Sequence, residues 1–324
     1  MSLSLDLIRA LGWTGTDLQR VISTAPARYK VYAIPKRHGA GFRIIAQPSR
    51  ELKVIQRFVL HNKLAMYPVH EAAMAYCAGR NIRDNAEKHR PENVILKLDF
   101  QDFFPSIKVR DWEKYAREVP VEGIDPGDIK LYSRIMFWGQ ERRSTVPRCL
   151  SIGAPTSPAL SNILMYNFDV ALSQQALEMG VGYTRYADDI TISATSEEAV
   201  LNFEKTIVRS VRSLKSPRLT FNNEKRGLYK RGQRRMVTGL IVTPDRKVSI
   251  GRERKRLISA MLNRSSQGLL DLLGRSRLKG LLGFSIATEP EFLDRLRIKY
   301  GSSVIDAALS FHAPTRAEMA PAET

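Results

Sequence analysis

Two adjacent acids, Asp188 and Asp189, interrupt the run Tyr183-Thr-Arg-Tyr-Ala-Asp-Asp-Ile-Thr-Ile192, between short β-branched and aromatic stretches that predict the arms of a hairpin. Neighbouring carboxylates repel one another unless a cation compensates them. Such a turn is therefore expected to meet a divalent ion rather than to be a solvated loop. A Tyr-x-Asp-Asp match also arises by chance, so it needs partners elsewhere in the chain.

The first partner is the run from Val94 to Phe100, which predicts a mostly buried strand, apolar except for Lys97 and Asp99. A carboxylate at the end of such a strand is unusual. Upstream, Tyr29 to Pro48 predicts two strands joined by His38-Gly39-Ala40, a flexible basic hairpin. Leu52, Ile55, Phe58 and Val59 fall at helical spacing and predict a helix from Glu51 to Met66. A second helix is expected from Ser157 to Leu177, entered through Pro155 and Pro158. A third is expected from Glu197 to Leu214, with Thr195 and Glu198 spaced as a capping box. Leu219 to Leu228 and Met236 to Ile250 read as further strands, Gly251 to about Tyr300 as basic helices, and the Ala-, Pro- and Thr-rich end as a frayed tail. No internal repeat is apparent. This order predicts an α+β fold, one sheet with helices packed on one side.

A chain of 324 residues with 43% hydrophobic content can build a real core without covalent staples. Cys77 and Cys149 stand far apart with no His or Cys at ligand spacing, which argues against zinc and against a disulfide framework. No apolar stretch is long enough to span a bilayer, and the segment Met1 to Ala10 carries Asp6 and no cleavage pattern, so a cytoplasmic protein is expected. With 51 Lys and Arg against 33 Asp and Glu, the formal charge is +18 and the pI about 10.0. A field of that sign recruits polyanions, and nucleic acid is favoured over a membrane surface because no basic amphipathic helix with an aromatic face is present. The basic clusters Lys225 to Arg235 and Arg252 to Arg256 fit that partner, although each also fits a solvated face.

Nucleotidyl transfer by two metals needs a bridging carboxylate and at least one more to hold the ions about 4 Å apart. Asp99, Asp188 and Asp189 supply such a set if their strands are neighbours. Asp102 reads as an N-cap for the turn Phe103 to Ser106, its backbone amides approaching a triphosphate, and is given no metal.

In this order the motifs resemble the reverse transcriptase family over residues 28 to 300: the basic hairpin, Leu98-Asp-Phe-Gln-Asp-Phe-Phe-Pro-Ser106, Gly153-Ala-Pro-Thr-Ser-Pro-Ala-Leu-Ser-Asn162, Tyr186-Ala-Asp-Asp189 and Asn222-Asn-Glu-Lys225. The resemblance implies a right-hand polymerase fold. It places the N-terminal helices and fingers at 1–95, a palm at 96–250 with a fingers insertion at about 107–150, a thumb at 251–312 and a flexible tail at 313–324. It implies two Mg2+ ions held at Asp99, Phe100, Asp188 and Asp189, and dNTP substrates. Lys36 and Arg43 match the pair that folds onto the β- and γ-phosphates. Asp102, Phe103, Gly153, Ala154 and Pro155 join them around the nucleotide. Phe104 matches the aromatic that crowds the sugar 2′ position and implies a preference for deoxynucleotides, against ordinary core packing. Lys225 matches a lysine that protonates the leaving pyrophosphate, or is one phosphate-contacting lysine among many. Many relatives carry Gln before the Gly of the loop; here Ile152 stands, so that polar contact is absent or replaced.

Asn85-Ala86-Glu87-Lys88-His89 and Val237-Thr238-Gly239 resemble two signatures of retron reverse transcriptases. The stretch 27–84 looks like a retron branch whose loci also encode an ATPase and an HNH-type nuclease. The resemblance implies an enzyme that binds its own structured non-coding RNA and copies part of it into single-stranded DNA primed from a guanosine 2′-hydroxyl, in anti-phage defence. Asn85, Ala86, His89, Val237, Thr238, Gly239, Arg252, Arg254, Lys255 and Arg256 are the RNA contacts so implied, the basic ones gripping phosphates and 2′-hydroxyls. Another reverse transcriptase class, an idle RNA-binding scaffold and an RNA-templated RNA polymerase are the competing readings; the paired signatures, the intact acids and Phe104 weigh against them in turn.

Overall fold

The computed structural model describes residues 2–36, 41–141 and 143–312, so the expected hairpin turn at His38 to Ala40 and the expected tail at 313–324 lie outside the described residues. The chain divides into two compact units, one of residues 1–81 and 93–228, the other of 82–92 and 229–324.

The first unit contains the hairpin of β1 (Tyr29–Pro35) and β2 (Phe42–Pro48) and a sheet built on β3 (Val94–Asp99), β4 (Gly182–Tyr186) and β5 (Asp189–Ala194). In that sheet the order is β4-β5-β3, with the short β6 (Gly227–Lys230) beside β3 at the other edge. Antiparallel register pairs Leu96 with Ile192, Leu98 with Ile190 and Asp99 with Asp189, so directly opposed residues share a face. One face is apolar and is covered by the helices Tyr166–Glu178 and Glu197–Ser213, the latter through Val200, Phe203, Ile207 and Val211. The other carries Lys97, Thr191, Asp99 and Asp189. The α+β expectation therefore holds, with the acids on the polar face.

Several boundaries differ from the sequence-based expectation. The single helix expected from Ser157 to Leu177 is two, Thr156–Leu164 and Tyr166–Glu178, broken at Met165. Ser196, not Thr195, caps the next helix, accepting the Ala199 N–H at 3.2 Å. The helix expected to Met66 ends at Asn62 and is followed by a 3-10 turn. Of the strand expected at 219–228, only a bridge from Phe221 to Phe100, the turn Asn223–Lys225 and β6 remain.

Behind the acidic turn, Arg185 and Asp169 are fully buried and paired. The guanidinium donates to Asp169 from Nε at 2.9 Å and from Nη2 at 2.5 Å, while Nη1 reaches Asn162 Oδ1 and the Ala187 carbonyl, each at 3.1 Å. Tyr183 donates its hydroxyl to the same Asp169 at 2.9 Å. A planar five-donor fork can hold both oxygens of a carboxylate, a side-chain amide and a backbone carbonyl at once, more than the three donors of a lysine could serve.

The second unit sets the helix Ile82–His89 on a sheet of β7 (Arg235–Val237), β8 (Leu240–Val242) and β9 (Val248–Ser249), where one longer strand was expected at 236–250. The helices Arg252–Ser266, Leu272–Thr288, Pro290–Tyr300 and Ser302–Ser310 follow, extending helical structure past Tyr300. Glu289 ties this unit together: it accepts from Ser249 Oγ at 2.9 Å, the Ile250 N–H at 3.0 Å and Lys255 at 2.5 Å. No helix among the described residues is long and apolar enough to cross a membrane.

Arg185→Met leaves Asp169 charged and unpaired in the core and should cost about 3–5 kcal/mol, read from urea unfolding. The double variant Arg185→Met/Asp169→Leu removes both charges and should recover most of that loss.

Candidate active site

The turn joining β4 to β5 places Ala187 in the left-handed region, φ 57°, and its carbonyl on Arg185, so the backbone that aims Asp188 and Asp189 is braced from within the core. Asp99 lies on the adjacent strand, and its N–H neighbour Phe100 donates to the Asp188 carbonyl at 3.0 Å. The three acids expected to act together are thus brought together. Burial pushes all three carboxyls above their ordinary range. The hydrogen bond that Asp99 and Asp189 share raises Asp99 further and draws Asp189 back down in part, while Asp99 bears on Asp188 through its charge.

Lys225 answers part of that charge. Its ammonium, half exposed, sits 2.8 Å from each oxygen of Asp99, which is almost fully buried. The family role expected for Lys225 points at a leaving group; here the lysine lies on the carboxylate itself. Among the described residues no three His, Cys, Asp or Glu side chains already close into a metal cage. The donor chemistry nevertheless fits hard divalent cations, since every acid is an oxygen ligand whose ionisation is disfavoured until positive charge arrives. The Phe100 side chain is stacked between Phe103 and Phe221, with centroids 5.8 and 4.9 Å away, so only its backbone carbonyl remains for an ion.

The expected nucleotide-binding residues fall into three groups. Lys36 and Arg43 lie exposed on the hairpin, and the charge of Arg43 is felt at Asp188. Gly153, φ 123°, lies against β2 so closely that a Cβ would stand 3.1 Å from the Ala46 carbonyl; Ala154 is buried and Pro155 half-buried beside it. Phe104 is half-buried and open to one side. The Phe103 side chain, by contrast, is a core residue, so its expected place at the nucleotide falls to its backbone amide. Asp102 occupies the N-cap position but in a left-handed conformation, φ 46°, and its side chain caps nothing, correcting the expected cap.

The expected RNA contacts divide more sharply. Asn85, Ala86 and His89 form the buried face of their helix, and Val237 is buried too, so their side chains serve packing rather than RNA contact. Thr238, φ 44°, donates its hydroxyl to the Ile82 carbonyl at 3.2 Å, and Gly239, φ 82°, accepts Arg254 at 2.7 Å. The two signatures are thus halves of one packed joint within the second unit. Arg254 and Lys255 are engaged there, Lys255 on Glu289, while Arg252 and Arg256 remain exposed.

Two features escaped the sequence. Arg185 carried a signal, a cation in an otherwise strand-like run beside the acids; its partner Asp169 sat unremarked in a helix. Tyr76 carried none. It lies exposed, φ 60°, with its ring 6.4 Å from that of Phe104.

With this geometry in view, the comparison with known proteins is decisive. Residues 34–243 match the family model described as reverse transcriptase (RNA-dependent DNA polymerase). The retron Ec83 reverse transcriptase of Escherichia coli is 36% identical over 94% of this chain and 97% of its own length. The chain belongs to the retron reverse transcriptases. The retron Mx162 reverse transcriptase of Myxococcus xanthus is 32% identical over 88% of this chain, which spans 63% of that relative. Among solved structures, apo telomerase from Candida tropicalis superposes with a TM-score of 0.53 at 13% identity, covering 89% of this chain and 59% of the telomerase. That likeness speaks for the right-hand polymerase fold of this retron enzyme, an RNA-directed DNA polymerase.

His89 yields a pH prediction. Burial, with the charge of Lys88, pushes its imidazole down to about 3 from an ordinary 6.5. The unfolded chain then binds a proton that the folded chain refuses, so stability is lost as pH falls from about 6.5 toward 3, at about 1.4 kcal/mol per unit. His89→Gln should flatten that acid limb in melting curves taken from pH 7 to 4.

Proposed function

We propose that this enzyme copies part of its own retron non-coding RNA into branched, RNA-linked single-stranded DNA, primed from a guanosine 2′-hydroxyl. The observation that carries the reading is the pairing of Asp99 with Asp189 across β3 and β5, with Asp188 alongside and the Arg43 charge directed at it. Its retron relatives support the choice of template.

Asp99, Asp188, Asp189 and the Phe100 carbonyl are the groups that would hold two Mg2+ ions. When bound, the ions supply activation of the primer hydroxyl and a clamp on the triphosphate. Lys225, which holds a proton beside Asp99, would supply that proton to departing pyrophosphate. Lys36 and Arg43 bind the β- and γ-phosphates of a dNTP, Gly153 lets the backbone approach its base and sugar, and Phe104 stands against a 2′-hydroxyl. Residues 1–95 then act as fingers, 96–250 as palm with an insertion at 107–150, and 251–312 as thumb. Arg252 and Arg256 grip the RNA backbone. A cytoplasmic complex with effector proteins, an ATPase and an HNH nuclease in the branch this chain resembles, would carry anti-phage defence.

Purified from cells that express its locus, the enzyme should carry a molecule in which DNA is joined to RNA at a 2′ branch; recovery of unbranched RNA alone would refute the reading. Asp188→Asn should lower DNA synthesis by at least about a thousandfold, measured by primer extension on an RNA template. The wild type should also gain melting temperature on adding Mn2+, and Asp188→Asn/Asp189→Asn should gain none.

A further inference from the structure

Tyr76 is a bulky residue in a conformation that disfavours bulk. A left-handed backbone is strained for a non-glycine residue, and at 53% exposure the ring recovers little of that by burial. The conformation is imposed by its surroundings. Met74 donates its N–H to the Arg185 carbonyl and the Arg185 N–H donates to Ala72, both at 2.8 Å. Asn162 Nδ2 donates to the Ala75 carbonyl at 2.8 Å, and Arg80 Nη1 to those of Ala73 and His70 at 2.7 and 2.8 Å.

These bonds run to the residues that brace the catalytic turn, so Tyr76 is aimed by the same clamp as Asp188 and Asp189. Its ring meets Phe104 at 6.4 Å and 41°. Three charged or titratable neighbours bear on its hydroxyl: Asp188, Tyr186 and Arg43. The ring therefore lies against Phe104 within reach of the charges of Asp188 and Arg43, where it contributes little to the core.

We propose that Tyr76 is a specificity-determining residue that extends the wall of the sugar pocket begun by Phe104. This rests on the assignment of Phe104 to the sugar. A single ring lets a ribose tilt away from the clash, whereas two adjoining rings make a broader apolar wall that leaves an added hydroxyl no partner and no way around it. The wall is the ring, and the phenolic oxygen is dispensable to it.

The test is single-nucleotide incorporation by the full-length enzyme on an RNA template with a DNA primer, comparing kcat/KM for matched dNTP and rNTP. Tyr76→Ala and Tyr76→Gly should each lower the preference for dNTP about tenfold, whereas Tyr76→Phe should keep it. The glycine variant, relieved of strain, should melt no lower than wild type, which separates pocket shape from folding. The proposal is overturned if Tyr76→Ala and Tyr76→Gly stay within twofold of wild type while Phe104→Ala loses selectivity, or if Tyr76→Phe loses it as well. If Phe104→Ala is also without effect, the sugar assignment of Phe104 fails with it.

Discussion

The register that sets Asp99 opposite Asp189 puts like charges face to face across two strands, an arrangement that destabilises an ordinary sheet. Everything around the polar face answers to it. Lys225 supplies a tethered positive charge, Lys97 lies on the same face near Asp189, and Arg43 adds its field at Asp188. The apolar face beneath is packed without such compromise, with Leu96, Leu98, Ile190 and Ile192 buried under two helices. A rigid hydrocarbon support under a frustrated acidic surface is what a cation-dependent polymerase needs: the fold is secure before the ions arrive, and their binding energy is enlarged by the repulsion they relieve.

The Arg185–Asp169 pair supplies directionality that hydrocarbon packing lacks. Its fork links Asn162, at the end of the helix that follows the glycine loop, to the backbone of the catalytic turn. Buried ion pairs add little net stability over apolar replacements, so the reason to keep one here is geometric. The turn, the loop and the segment carrying Tyr76 are referred to one planar cation, and their relative positions are set together.

Much of this was legible in the chain. A nearly continuous apolar run marked β3 and a β-branched stretch marked β5, the adjacent acids marked the turn, and the order of motifs marked the polymerase. The misreadings have physical causes. Helical spacing continues across Met165, so the break between two helices leaves no trace in the pattern of apolar residues. Asn85, His89 and Thr238 were assigned to RNA through the two signatures, yet they are folded against their own unit, because a shared motif does not reveal which of its groups find partners inside. Tyr76 was silent because a left-handed aromatic is imposed by hydrogen bonds from distant residues and not by its own preferences. Arg185 was visible only as an oddity until Asp169 appeared beside it.

The contact between Gly153 and the Ala46 carbonyl carries one more meaning. Ala46 also donates its N–H to the Ile152 carbonyl at 2.9 Å, so the Gly153 loop and the root of the β1–β2 hairpin are joined at a point where an added methyl group would press on a backbone carbonyl. Mutational routes that reshape one must carry the other along. Side chains added at this seam are thereby selected against, and variation is left to the exposed arms of the hairpin.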